Sequence, residues 1–229
     1  MRPVARVITG SETSSIETSK VVRNTYTLLA MTLLFSAVTA GISMAIQPPM
    51  FTGIVCSLVA MGLIWFVLPR TANSAAGLGV VFGITGLLGF GLGPLLTHYL
   101  AMANGSMIVM NAMATTGITF LGLSAYVLTT KKDFSFMGGF LMAGLIAVIG
   151  LALVSIIAAW GFGVDVSAFS LAISGAVVLL MSGLILFETS NIVNGGETNY
   201  LMATVGLYLS IYNLFTALLH LIGAFSNDD

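Results

Sequence analysis

The chain has 229 residues, 58% hydrophobic and 7% charged, with a formal net charge of −1 and a mean hydropathy of +1.07. Soluble domains carry about 25% charged residues, so a water-soluble globular protein is excluded, and so small a net charge gives no electrostatic basis for a nucleic-acid partner. One cysteine, Cys56, rules out an intrachain disulfide and a cysteine metal site, and two distant histidines, His98 and His220, make a poor ligand set; no metal and no cofactor are expected.

The first 24 residues are polar and rich in Ser and Thr between Thr9 and Ser19. They lack an apolar core followed by a small-residue cleavage site, so they read as a flexible tail rather than a removed signal peptide. Residues 25–229 read as one polytopic domain, with apolar runs near residues 25–46, 50–68, 75–100, 107–128, 136–160, 169–193 and 200–225. Each is close to or above the about 20 residues that a membrane-crossing helix needs. The runs are continuous rather than alternating and twice the length of a barrel strand, so helices are predicted.

The third run holds Gly79/Gly83 and Gly89/Gly93, small residues four apart that let helices approach closely, and Pro94, which is expected to kink or end its helix. The sixth run leads directly into Glu188, a carboxylate that would cost about 2.5–3.5 kcal/mol at a helix centre in lipid and so should face protein or a polar path. In the seventh run Gly206, Ser210, Asn213, Ala217, His220 and Gly223 recur at helical spacing. Lipid would reject that stripe, which predicts a central seventh helix whose polar groups bond across the bundle.

Orientation follows from the basic residues. Arg2, Arg6, Lys20 and Arg23 precede the first run, Arg70 follows the second, and Lys131 and Lys132 follow the fourth, so all seven fall on one side. The positive-inside rule then puts the N-terminus in the cytoplasm and the C-terminus outside. The expected fold is an all-α, seven-transmembrane-helix bundle. Glu188 and Arg70 should lie at similar depth, where an ion pair would lower the burial cost of both. Neither histidine shares a depth with an intramembrane acid, and Gly195-Gly196 lacks the lysine of a phosphate loop, so no catalytic set is found and no enzyme is expected.

Several stretches together resemble the Bax-inhibitor family of multispanning membrane proteins: Thr71-Ala72-Asn73, Lys131-Lys132-Asp133, Leu186-Phe187-Glu188-Thr189-Ser190-Asn191, Gly195-Gly196-Glu197-Thr198-Asn199-Tyr200 and Leu207-Tyr208-Leu209-Ser210-Ile211-Tyr212-Asn213. The resemblance is closest to a bacterial branch and implies a seven-helix fold in the inner membrane. It also implies a partner, the FtsH membrane protease complex, whose proteolysis the chain would restrain. The tail residues 3–19, Pro3 and Ser19 included, are the segment such a protease could grip. In calcium-leak members of the family two acids on the sixth and seventh helices form a pH-sensitive pair; Glu188 matches the first and Ser210 stands at the second. A pH-regulated calcium or proton-linked cation leak, with Glu188, Arg70, Ser210 and Asn213 along its polar path, is therefore the alternative, weakened by the missing second carboxylate.

Overall fold

A computed structural model describes residues 5–226, with side chains from residue 16 onward. Within these residues the apolar runs form seven helices long and apolar enough to cross a membrane. They are α1 (Ala5–Ile46), α2 (Thr52–Gly62, carried on through Leu63–Val67 and Leu68–Thr71), α3 (Ala76–Leu100), α4 (Gly105–Thr130), α5 (Gly138–Phe162), α6 (Ser167–Val193) and α7 (Tyr200–Phe225). The chain is a multi-pass membrane protein.

Local chemistry sets most of the ends. Gln47 turns α1 off with a left-handed φ of 53°, and Pro48-Pro49 then forbid its continuation. Gly163 ends α5 in the same conformation, with φ 64°. Asn199 starts α7: its side-chain oxygen accepts the N–H groups of Leu201 and Met202 at 2.9 and 3.2 Å.

Two local expectations are corrected, and one feature is new. Helix α1 does not begin near residue 25 but runs back to Ala5, through most of the polar stretch; a helix already nucleated by an apolar span extends through Ser and Thr at small cost per residue. Pro3 and Val4 lie outside the described residues. Of the two outcomes expected of Pro94, it does not end α3, whose helical assignment runs on from Ala76 to Leu100; membrane helices tolerate an interior proline where neighbours cover the freed backbone groups. The widened turn at Leu63–Val67 was not foreseen. It lies just before Pro69, which cannot donate to the Trp65 carbonyl.

Helix α7 is the most enclosed span and packs on α6, α4, α1 and α3, so the central seventh helix is present as expected. Helix α3 is gripped by α1 and α2, whereas α5 packs mainly on α6 among the described residues and presents apolar side chains outward. The core therefore surrounds α7, with Leu207, Leu214 and Leu219 fully buried along it.

Candidate functional site

The six residues 194–199 join α6 to α7, so the two helices run antiparallel and the last turns of α6 face the first turns of α7. Glu188 on α6 thereby meets Gly206 and Ser210 on α7. The Ser210 hydroxyl donates to Glu188 Oε2 at 2.9 Å, and Ser210 itself is buried. A Cβ on Gly206 would stand 2.9 Å from Oε1, so glycine is what leaves room for the carboxylate. Glu188 is half-buried and borders a cleft of about 120 Å³ that it shares with Asn191, Glu197, Met202 and Gly206. Glu197 is anchored in turn, accepting the Asn199 N–H at 2.7 Å. The carboxylate thus faces protein and a polar cleft, as its cost in lipid requires.

Around it the motif-bearing loops interlock. Thr189, next to Glu188, joins α1 and α4 through hydroxyl contacts to Tyr26 at 3.2 Å and Ser124 at 3.3 Å. Ser190 accepts the Phe134 N–H at 2.8 Å and donates to the Lys132 carbonyl at 3.2 Å. Asp133 in that loop accepts the Ser135 N–H at 2.8 Å, which holds its carboxyl below the usual carboxylate range. The Asn199 amide donates to the Ala72 carbonyl and to Asn73 Oδ1 at 3.0 and 2.9 Å, tying the start of α7 to the turn after α2. Three loops that are distant in sequence are therefore stitched to one end of the bundle.

Two of the expected site residues stand elsewhere. Arg70 is exposed, and among the described residues no ion pair joins it to Glu188. The packing order separates them: α2 packs on α3, while Glu188 is enclosed between α6 and α7. The Asn213 amide turns back to the Leu209 carbonyl of its own helix at 2.8 Å and does not reach the carboxylate. The rest of the stripe behaves as a helix–helix seam: Gly206 and Ser210 face Glu188, and His220 Nδ1 lies 2.8 Å from the Ser174 hydroxyl, again on α6.

Sequence reasoning missed Tyr208. It is fully buried, and its hydroxyl pairs with Ser36 of α1 at 2.6 Å and lies 3.3 Å from the Thr85 carbonyl of α3. Its only sequence signal is a polar-tipped aromatic inside a motif, where Tyr commonly needs a partner when buried.

This geometry sets unequal expectations for two substitutions. Arg70→Ala should shift stability by no more than about 0.5 kcal/mol, as for a surface change. Ser210→Ala should cost about 1–3 kcal/mol, because it leaves Glu188 Oε2 without its donor. Thermal unfolding in detergent compares the two; an Arg70→Ala loss as large as that of Ser210→Ala would contradict the arrangement.

The comparisons agree with this frame. The family model described as "Inhibitor of apoptosis-promoting Bax1" matches residues 18–227. A membrane protein of Vibrio cholerae is 49% identical over 221 residues, 96% of this chain and 96% of its own. The "Modulator of FtsH protease YccA" of Escherichia coli K12 is 46% identical over 225 residues, covering 97% of this chain and 99% of that protein. A Pseudomonas aeruginosa protein is 45% identical over 213 residues, 93% of each. A match over nearly the whole length, through every loop that the site draws together, makes this chain a member of the Bax-inhibitor (Bax1-I) family of membrane proteins.

Proposed function

We propose that this protein is a regulatory component of the bacterial inner membrane that binds the FtsH protease complex and restrains its proteolysis of other membrane proteins. The observation that carries the reading is the 46% identity, over 97% of the chain, to a protein named as a modulator of that protease. The orientation proposed with it puts the N-terminus and the interlocked loops in the cytoplasm, since Arg23, Arg70, Lys131 and Lys132 all lie at that end. The residues before α1 enters the bundle, 1–24, act as a separate tail. Ile16, Glu17, Ser19 and Lys20 are exposed there, and a polar helical extension opens at little cost up to Val21 and Val22, which pack on the core.

Deleting residues 3–19 is therefore expected to lengthen the protein's lifetime in cells that contain FtsH, and to slow turnover of other FtsH substrates. Pulse-chase measurement of both quantities is the test. Unchanged lifetime together with unchanged substrate turnover would remove the tail from the function.

One observation favours a second reading, a pH-regulated calcium or cation leak: Glu188 and Glu197 border the same polar cleft. Against it stands Ser210 at the position where the leak members carry a second acid. The protease reading calls on no catalytic step by this chain, only on a surface and a tail.

A further inference from the structure

A cavity of about 450 Å³ lies between α1, α3, α4 and α7, away from Glu188. It occupies the half of the bundle remote from the basic loops, with Ala40 on α1, Leu92 and Leu96 on α3, and Ile211 on α7 along its walls. We propose that it is a binding site for one linear acyl chain of a membrane lipid, entering sideways between α1 and α4.

The mouth is a feature of the packing. Helices α1 and α4 meet where Tyr26 stacks on Phe120, ring centres 6.2 Å apart, and share no extended interface beyond that contact among the described residues. Ala37 and Met113 stand exposed at the opening, and their outward neighbours Leu34, Val38 and Met110 are exposed apolar side chains at hydrocarbon depth. What surrounds the mouth is lipid.

The lining selects the chain and ignores the headgroup. No charged side chain borders the cavity. Its hydroxyls are already occupied: Thr116 donates to the Ala112 carbonyl at 2.7 Å, Ser36 and Tyr208 bond each other at 2.6 Å, and Tyr212 is hydrogen-bonded with Ser57 of α2. Water would find few partners, and a cavity without polar partners does not hold it. A methylene takes about the room of a water molecule, roughly 30 Å³, so the volume fits a chain of about fifteen carbons. A partner helix fits poorly: at about 10–12 Å in diameter, 450 Å³ would accept about one turn of it or less.

The test places the full-length protein in nanodiscs holding equal amounts of dipalmitoyl- and diphytanoyl-phosphatidylcholine, which differ only in the branching of the chains. Native mass spectrometry after release reads the lipid retained. The wild type should keep one lipid, the linear one over the branched one. A Cβ on Gly117, which lines the cavity, meets nothing within 4 Å, so Gly117→Phe can leave the backbone undisturbed and direct its ring into the space; Ala37→Phe at the mouth is the second variant. Each methylene displaced weakens retention about fourfold, so losing two or more should lower it at least ~10-fold. Gly150→Phe on α5, whose Cβ is equally unobstructed but far from the cavity, should retain lipid as the wild type does. Retention unchanged in both Gly117→Phe and Ala37→Phe, equal loss in Gly150→Phe, or no preference between the chains would overturn the proposal. So would a co-purifying polypeptide that disappears with Gly117→Phe while no lipid is retained by the wild type.

Discussion

Replacing Gly93 with leucine is expected to force α1 away from α3 and to destabilise the bundle by about 1–3 kcal/mol or more, the usual range for overpacking a filled interface. A Cβ at Gly93 would collide with the Ser43 side chain and come within 3.0 Å of the Ser43 backbone carbon; backbone cannot rotate aside. Gly89, one turn earlier, is pressed in the same way against the Ser36 carbonyl. The α1–α3 contact is the most extensive in the molecule among the described residues, so a local clash there is transmitted along both helices. The same helix supplies its own control. Gly79 has the same four-residue spacing to Gly83, yet a Cβ at Gly79 meets nothing within 4 Å. Gly79→Ala should therefore leave stability within about 0.5 kcal/mol of the wild type. Detergent unfolding midpoints for the pair decide the matter, and equal losses would contradict the packing described.

The second large effect is expected from Ser210→Asp. The serine hydroxyl lies 2.9 Å from Glu188 Oε2, so an aspartate there sets two carboxylates side by side in the α6–α7 seam. At such spacing the pair shares one proton. With the proton present, the pair is joined by a hydrogen bond. As pH rises and the proton leaves, two negative charges about 4 Å apart repel by about 4 kcal/mol at an effective dielectric of 20. The variant should therefore lose stability from mildly acidic to alkaline buffer by more than the wild type, which has a neutral hydroxyl at that position. The leak reading adds a separate demand: calcium flux through proteoliposomes of the folded variant should exceed that of the wild type and depend on pH. Identical flux at every pH would remove that reading.

The helices were legible in the sequence because a bilayer imposes one simple condition, a long apolar run. The central place of α7 was legible from its stripe for a similar reason: small and polar groups at helical spacing need protein neighbours. Depth along the membrane normal can be read from position in a run, and that is what suggested pairing Arg70 with Glu188. Azimuth cannot be read that way. Which helices flank a residue depends on the packing order of seven spans, and α2 packs on α3, away from Glu188. The two glycine pairs of α3 teach the same lesson, since identical spacing puts one pair against α1 and leaves the other largely open. Tyr208 and the Tyr26–Thr189–Ser124 contacts were illegible because hydroxyls on three or four different helices converge only in three dimensions. The Glu188–Ser210 contact was within reach, because the family resemblance had already set those two positions beside each other.

The central claim, that this protein binds the FtsH complex and restrains it, is tested most directly by degradation in proteoliposomes. The purified FtsH complex is reconstituted with a second membrane substrate, and this protein is added in increasing amounts. The account predicts that the rate of substrate loss falls along a saturable curve, and falls further with a variant lacking residues 3–19. A degradation rate independent of the amount added, with the protein shown to be folded and inserted, would contradict it.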